Sequence, residues 1–357
     1  MISLNHLPGK ALNPMRIRTS LVATAIASIA AVGLTACSGG SSDTAGAPAQ
    51  GNNGSGGVIN LYSYSITKGA FDAEATAFNK TDAGKNVTFQ ASYGPSGDQS
   101  RKVEKGAAAD YVLFSLEPDV TRLVKADLVD TTWADDANKG IPAGSVVTIV
   151  VRKGNPKGIH DWDDLLKEGV EVVTPNPFSS GGAKWNLLAP YAVKSDGGKN
   201  PQAGLDYIKD LVTNHVHVQP KSAREATETF LQGTGDVLIS YEAEAIQSEK
   251  NGDPVEHVNP ASTFKIENPG AVLKTSKNLE KAKAFRDFLF SKDGQRIWAQ
   301  SGFRPVDPSV LAEFSKELPT VGKLWTIADL GGWKKVNDEL FAEGTGSIAQ
   351  IYDAATK

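Results

Sequence analysis

Residues 170–194 read VEVVTPNPFSSGGAKWNLLAPYAVK and combine the three local patterns on which the fold prediction rests. The stretch Val170–Thr174 is rich in β-branched residues, which favour a strand. The loop that follows contains Pro, Asn and Ser and ends at Ser180, a residue type that commonly caps a helix. Residues Gly181–Lys194 then have the composition and apolar spacing of a helix. We therefore predict a strand–loop–helix unit whose helix begins with two glycines.

The same alternation of strands and helices extends in both directions from this unit. Strands are predicted over Val58–Tyr64, Asn86–Tyr93, Asp110–Leu116, Val146–Val151, Val170–Thr174, Val216–Gln219 and Asp236–Ser240. Helices are predicted over Gly69–Lys80, Ser96–Lys105, Pro118–Ala126, Gly181–Lys194, Pro201–Asn214, Ala223–Gln232 and Ala243–Lys250, and the chain from Leu279 onward is predicted to be mostly helical. This alternation favours an α/β fold of mostly parallel sheets flanked by helices.

Three further strand–helix junctions have a composition similar to the first. Ser96 with Gln99 and Ser222 with Glu225 fit a capping box, and Ser65 precedes another helix. The first turn of a helix leaves backbone N–H groups unpaired at the positive end of the helix dipole. Ligands of α/β sheets lie beyond the carboxyl ends of the strands, so several helix starts can face one crevice and bind a small anion. The alternative is that these helix starts are unrelated.

The charge balance argues against nucleic acid as a partner. The chain of 357 residues has a formal net charge of −4, but residues 1–36 contain three basic and no acidic residues. The rest therefore holds 34 basic and 41 acidic residues, a net charge of −7. Phosphate backbones and anionic lipids attract basic surfaces, not acidic ones. The single Cys excludes an internal disulfide and a metal site of several cysteines.

The N-terminus has the pattern of an export signal. Arg16 and Arg18 precede the apolar run Leu21–Leu34, which is too short to span a membrane comfortably. The run leads into Leu34-Thr35-Ala36-Cys37, which resembles the bacterial lipobox and implies lipidation of Cys37. Both Met1 and Met15 remain candidate starts. The segment Ser38–Gly57 contains seven Gly and four Ser and is predicted to be a flexible tether.

Several segments of the chain are similar to motifs of the bacterial sulfate-binding proteins. They are Val151–Leu165 (VRKGNPKGIHDWDDL), Val173–Asn186 (VTPNPFSSGGAKWN), Gly235–Ala245 (GDVLISYEAEA), and Ser291–Gln295 with Phe303–Pro305. The resemblance extends over residues 60–345. It implies a substrate-binding lipoprotein of an ABC importer, which binds sulfate or thiosulfate on the outer face of the cell membrane and delivers it to permease subunits. No cofactor, metal or catalytic activity is implied, and a monomer is expected.

The resemblance also implies a type II periplasmic-binding-protein-like clamp, in which two α/β lobes close on the anion. Val146 is predicted to begin the second lobe and Tyr241 to end it. The expected ranges are 1–36 for the signal peptide, 37–57 for the tether, 58–145 with 242–305 for the first lobe, 146–241 for the second lobe, and 306–357 for C-terminal helices that pack across the lobes.

The family's anion contacts can be placed on this sequence. They fall on Ser65, Ser96, Ser180, Gly181, Gly182, Ala223 and Tyr241, with Arg224 close behind. Two of these positions differ from the family, which has Asp at Ser65 and Trp at Tyr241. In addition, Asp98 stands where the family has a cation. These differences leave the preference between sulfate and thiosulfate open.

The resemblance is consistent with the chemistry of the ion. Sulfate has no proton at neutral pH, so a site of hydrogen-bond donors suits it, whereas a carboxylate would repel it in a dry cleft. We therefore predict that no Asp or Glu side chain contacts the ligand and that Asp98 points away from it.

Other functions have weaker support in the sequence. Ser96 or Ser180 could serve as the nucleophile of a secreted hydrolase, but neither lies in a G-x-S-x-G motif. His215 and His217 have a spacing that could chelate a metal on a strand, although a solvated strand face is the simpler interpretation. Another tetrahedral oxyanion, such as molybdate or phosphate, remains an alternative ligand.

Overall fold

The computed structural model describes residues 57–355, so the predicted signal peptide, Cys37 and nearly all of the tether lie outside the described residues. The strands are β1 (Val58–Tyr64), β2 (Thr88–Gly94), β3 (Tyr111–Leu113), β4 (Ala143–Arg152), β5 (Val172–Val173), β6 (Val237–Tyr241), β7 (Val255–Val258), β8 (Ser262–Asn268), β9 (Gly270–Val272), β10 (Arg304–Pro305) and β11 (Lys323–Trp325). The helices are α1 (Lys68–Phe78), α2 (Ser96–Glu104), α3 (Glu117–Lys125), α4 (Gly181–Lys194), α5 (Pro201–Asp210), α6 (Ala223–Leu231), α7 (Glu242–Asn251), α8 (Leu279–Phe290), α9 (Lys292–Gln300), α10 (Pro308–Glu313), α11 (Trp333–Val336) and α12 (Ser347–Ala355).

The first sheet has the strand order β2-β1-β3-β9. β1 runs parallel to both β2 and β3, while β9 is antiparallel to β3. The buried side chains of Ile59 and Leu61 belong to a core that also contains Phe71 and Phe78 of α1 and Phe285 of α8. The parallel part of this sheet therefore agrees with the fold predicted from the sequence.

The second sheet is centred on β4, and its main path is β11-β8-β4-β6-β5. β4 is antiparallel to β6, β7 and β8, whereas β5 is parallel to β6 and β11 to β8. The α/β fold is as expected, but the description of each sheet as mostly parallel needs correction here. The reason is that β4 is a long strand whose two edges are paired with strands that run in the opposite direction.

The prediction omitted the strands between residues 255 and 272. β7 has two consecutive polar residues, Glu256 and His257, which interrupt the period-two pattern, whereas Phe264-Lys265-Ile266-Glu267 of β8 does alternate and was overlooked. Conversely, the predicted strand Val216–Gln219 is reduced to an isolated bridge between Val173 and Val218. The lobe ranges remain a prediction, and strand pairing adds that residues 255–268 belong to the second sheet.

The C-terminal segment mixes helices with short strands. β11 pairs with β8, α10 packs against α9, and α12 packs against α5. Within residues 57–355, no helix has both the length and the apolar character needed to cross a membrane.

Candidate functional site

The residues expected to contact an anion all line one pocket. These are Ser65, Ser96, Ser180, Gly181, Gly182, Ala223 and Tyr241. The wall also includes Tyr64, Gly94, Pro95 and Ser115. Residues more than 170 positions apart in the chain therefore converge at one place between the two sheets.

Helix starts supply much of the pocket wall. Ser96 begins α2, Gly181 and Gly182 begin α4, and Ala223 begins α6. Ser65 begins a short 3-10 turn that leads into α1. The first N–H groups of a helix have no carbonyl partner within it, and they lie at the positive end of its dipole. The wall is thus rich in neutral backbone donors.

The hydroxyl of Ser180 is free to point into the pocket. Ser180 is the N-cap residue of α4, as predicted, but its side chain does not accept a capping hydrogen bond. The N-cap Ser222 of α6 behaves differently, because its Oγ accepts from the backbone N–H of Glu225 at 3.2 Å. Half of the capping box predicted for Ser222 and Glu225 is therefore present, because the Glu225 carboxylate accepts from the N–H of Lys221 and not from that of Ser222.

Ser96 differs from the sequence prediction. The N-cap residue of α2 is Pro95, so the predicted capping box of Ser96 and Gln99 is wrong. The Ser96 hydroxyl instead donates to Oδ2 of Asp119 at 2.6 Å and accepts from the backbone N–H of Ser115 at 3.0 Å. A carboxylate only accepts hydrogen bonds, so the Ser96 hydroxyl proton is held by Asp119. The donor that Ser96 can offer to the pocket is its backbone N–H.

Tyr241 lies at the end of β6 and is 1 % exposed. Its hydroxyl oxygen is 2.6 Å from Oγ of Ser115, and its ring centroid is 6.0 Å from that of Tyr64. Burial raises the pKa of the Tyr241 phenol well above its ordinary value. The side chain therefore carries its proton at physiological pH and can act as a hydrogen-bond donor.

The charged residues near the pocket are paired behind its wall. Asp119, which holds the Ser96 hydroxyl, accepts from Nη1 of Arg122 at 3.0 Å. Asp98 forms an ion pair with Arg101, and Arg224 lies 3.2 Å from the buried carboxylate of Glu244. None of these charged side chains belongs to the pocket wall. Among the described residues, the wall contains only neutral side chains.

Lys184 is the fourth residue of α4, two positions after Gly182. Its ammonium donates to Oδ1 of Asn337 at 2.8 Å. Burial lowers the pKa of Lys184 to about 8. This cation is therefore the titratable group on α4 whose charge is most sensitive to mildly alkaline pH.

Sequence reasoning missed Ser115. It follows β3 by two positions and contacts the opposite side of the pocket through its backbone and its side chain. Its carbonyl accepts from Nε1 of Trp185 at 2.9 Å, and its hydroxyl meets Tyr241. The available signal was its position, because Ser65 and Ser96 also follow the ends of strands in the first sheet.

The two histidines with metal-chelating spacing do not form part of this site. His215 lies in a turn after α5, and its Nδ1 is 2.9 Å from the carbonyl oxygen of Val170. Within residues 57–355, no group of three or more His, Cys, Asp or Glu side chains is arranged to hold a metal ion.

Comparison with known proteins identifies the family. A model of the family described as bacterial extracellular solute-binding protein matches residues 59–304. A sulfate-binding protein of Synechococcus elongatus is 37 % identical over 92 % of this chain and 94 % of its own length. A thiosulfate-binding protein of Pseudomonas aeruginosa is 34 % identical over 81 % of this chain and 90 % of its own length.

A solved structure agrees with these sequence relatives. The sulfate-binding protein SubI from Mycobacterium tuberculosis is 58 % identical, with a TM-score of 0.78, and the match covers 80 % of this chain and 99 % of that one. The predicted periplasmic-binding-protein-like fold is thereby confirmed. The chain belongs to the bacterial extracellular solute-binding proteins, in the family of the sulfate- and thiosulfate-binding proteins.

Proposed function

We propose that this protein binds sulfate, and thiosulfate as a related ligand, outside the cytoplasm and delivers it to an ABC permease for import. The observation that carries the proposal is the pocket wall, which gathers hydrogen-bond donors from both sheets and contains no carboxylate among the described residues. A fully deprotonated dianion needs donors and is repelled by carboxylates.

The proposed contacts are those expected from the sequence, with one change in the donor atom. The backbone N–H groups of Ser65, Ser96, Gly181, Gly182 and Ala223 would donate to the anion, together with the hydroxyls of Ser180 and Tyr241. Ser96 contributes its N–H because its hydroxyl proton is bonded to Asp119. Arg224 would not contact the anion, since its guanidinium is paired with Glu244 behind the pocket wall. Its positive charge would instead support the start of α6 next to Ala223.

We propose that the two sheets mark the two lobes of a clamp. β4 and β8 would be the strands on which the lobes move, because β4 begins beside β10 and β8 and ends beside β6 and β7. On this criterion residues 255–268 and Arg304–Pro305, which belong to the second sheet, move from the first lobe to the second. Closure would bring Ser115 against Tyr241 and Trp185.

We propose that the protein is a binder without catalytic activity. A serine nucleophile needs a general base within hydrogen-bond reach. No His, Asp or Glu side chain among the described residues lines the pocket, so Ser180 has no base in the wall. Ser96 does have a carboxylate within reach, that of Asp119 at 2.6 Å, but this carboxylate is paired with Arg122 and the Ser96 oxygen accepts from the Ser115 N–H, so the hydroxyl is engaged in structural contacts behind the wall. Turnover of sulfate or phosphate esters by the purified protein would contradict this part of the proposal.

We also propose that the protein is an exported monomer anchored to the outer face of the membrane through lipidated Cys37. The support is the order of a basic segment, an apolar run, small residues and Cys in the sequence. The description of the matched family as extracellular agrees with export. Mass spectrometry of the membrane fraction would test the lipid, since an unmodified Cys37 contradicts the anchor.

The decisive experiment is thermal unfolding of the purified protein with sulfate, thiosulfate, molybdate or phosphate. A ligand at a hundred times its dissociation constant adds about 2.7 kcal/mol to the free energy of unfolding. We expect the largest shifts with sulfate or thiosulfate. Stabilisation by phosphate or molybdate, without any by sulfate or thiosulfate, would overturn the assignment.

The substitution Ser180→Ala tests the site itself. Loss of a hydrogen bond to a charged ligand should weaken sulfate binding by about 1.5–3 kcal/mol, measured by calorimetry. The matched control is Ser179→Ala, because the neighbouring hydroxyl bonds to the carbonyl oxygen of Lys221 and does not line the pocket. Equal losses in the two variants would show that the loop, and not the Ser180 hydroxyl, determines affinity.

A further inference from the structure

Ser115 and Tyr241 form a pair of hydroxyl groups in the wall of the pocket. Each residue is 1 % exposed, and the two oxygens are 2.6 Å apart. Ser115 follows the first sheet at β3, whereas Tyr241 ends β6 in the second sheet. At this distance one hydroxyl must donate to the other, and either atom can be the donor.

Hydrogen bonds hold the backbone of Ser115 in place, but its hydroxyl proton can still point in different directions. Its N–H donates to Oγ of Ser96 at 3.0 Å, and its carbonyl accepts from Nε1 of Trp185 at 2.9 Å. The amide of Asn268 also approaches the carbonyl, at 3.5 Å. None of these contacts determines which of the two hydroxyls donates to the other.

The pair can match two kinds of ligand. For an anion without a proton, one hydroxyl donates to its partner and the partner donates to the anion. For an anion that keeps one proton, the ligand can donate to Ser115, Ser115 to Tyr241, and Tyr241 back to another oxygen of the ligand. Every proton is then hydrogen-bonded in both arrangements, which avoids the cost of a buried unpaired group.

The other donors in the wall lack this property. Backbone N–H groups cannot accept a hydrogen bond. The Ser180 hydroxyl could accept a proton from the ligand, but its own hydrogen would then have to turn away from the anion. Its side chain makes no capping hydrogen bond to α4 that would fix the direction of this hydrogen. The Ser96 hydroxyl is already occupied on both sides.

We propose that the Ser115–Tyr241 pair makes Ser115 a specificity-determining residue, which lets this site bind monoprotonated tetrahedral oxyanions, such as hydrogenphosphate, alongside sulfate. The proposal rests on the proposed function of the pocket as an oxyanion site. It adds that the affinities of this site for sulfate and for a monoprotonated oxyanion differ less than they would in a site whose wall contained only hydrogen-bond donors.

The test is calorimetric titration of the purified protein with sulfate and with inorganic phosphate at neutral pH. The wild-type protein should bind both, sulfate more tightly. Ser115→Ala should weaken phosphate binding by about tenfold more than sulfate binding. In this variant Tyr241 can still donate to either anion, but the hydroxyl that accepts the phosphate proton is gone. Tyr241→Phe should change the ratio in the same direction, because Ser115 alone would have nowhere to send its own proton.

The control is Ser240→Ala, which removes a buried hydroxyl from the neighbouring position of β6, outside the pocket wall. It should leave the ratio of the two affinities unchanged, and sulfate binding by each variant would verify its fold. Sulfate binding without any phosphate binding in the wild type, or an unchanged ratio in Ser115→Ala, would overturn this inference and leave the proposed function intact. Failure of the wild type to bind sulfate and thiosulfate would overturn the proposed function itself.

Discussion

Ser96 and Ser180 hold comparable positions in their strand–helix junctions, yet their hydroxyls have different roles. The Ser96 hydroxyl donates to Asp119, whose carboxylate reaches it from α3, whereas the Ser180 hydroxyl makes no capping bond. The difference arises from a neighbour distant in sequence. A serine of the same type can therefore supply either its backbone N–H or its hydroxyl to the pocket, depending on what lies behind it.

Glu74 is a second residue whose behaviour depends on its surroundings. It is fully buried on α1, and neither carboxylate oxygen has a hydrogen-bond partner among the described residues. Burial raises the pKa of Glu74 to about 10. A carboxylic acid whose pKa is higher in the folded protein than in the unfolded chain stabilises the fold at low pH, and this contribution is lost as pH rises from the unfolded pKa towards the folded one.

Glu74→Gln should remove this dependence, since the amide has a similar shape and does not titrate. The difference in free energy of unfolding between variant and wild type should grow in favour of the variant by about 2–3 kcal/mol between pH 5 and pH 7. Denaturant unfolding at several pH values measures it. The exposed Glu168→Gln serves as the control, and a difference for Glu74→Gln that stays constant with pH would show that Glu74 is not protonated in the fold.

At the scale of elements, α4 depends on two glycines that face different surroundings. A methyl group at Gly182 would lie 3.4 Å from Oγ of Ser180 and 3.4 Å from Cε1 of Tyr241, so the protein leaves room for it inside the pocket. At Gly181 it would lie 2.8 Å from Cβ of Ser115, across the gap between the sheets. The first glycine allows close packing, and the second keeps the pocket open.

Gly182→Ala should therefore fold normally and bind poorly. Alanine is a better helix former than glycine, so thermal stability without ligand should not fall. The methyl group takes up space next to Ser180 that the anion is proposed to fill and should reduce sulfate affinity by about tenfold or more, because the ligand and the methyl group would overlap. Calorimetry with sulfate measures the loss, and an affinity within a factor of two of wild type would contradict the proposed position of the ion.

Gly181→Ala provides the matched comparison within the same helix turn. Its methyl group would clash with Ser115, so both unliganded stability and affinity should fall. A loss of affinity without a loss of unliganded stability, as expected for Gly182→Ala, indicates a blocked pocket. A loss of both, as expected for Gly181→Ala, indicates a disturbed contact between the sheets.

At the scale of the molecule, Ser115 joins the two sheets through Tyr241 and Trp185. The indole of Trp185 in α4 donates to the carbonyl of Ser115, while the hydroxyls of Ser115 and Tyr241 meet at 2.6 Å. If these contacts form on closure, their energy adds to the affinity for the anion, because a ligand binds more tightly to a protein whose binding-competent state is more populated.

Trp185→Phe should accordingly weaken sulfate binding by about five- to tenfold, the value of one neutral hydrogen bond. Calorimetry measures the affinity, and thermal unfolding measures the accompanying loss of core packing. Trp162→Phe is a matched control, because its indole, in the turn Trp162–Leu166, donates at 2.9 Å to the carbonyl oxygen of Ser262 in β8, away from the pocket. Similar losses of affinity in both variants would argue that packing, and not a contact between the sheets, is responsible.

The sequence by itself determined the alternation of strands and helices, the helix start at Gly181 and seven of the residues that line the pocket, but not Ser115. These follow from local patterns and from motifs shared with a family, both of which are carried by neighbouring residues in the chain. The antiparallel pairing of β4, the strands between residues 255 and 272, and the partners of Ser96 and Ser115 were decided only by the tertiary structure. They depend on contacts between segments far apart in sequence, and a hydroxyl group acquires its role as donor or acceptor only when such a neighbour is in place.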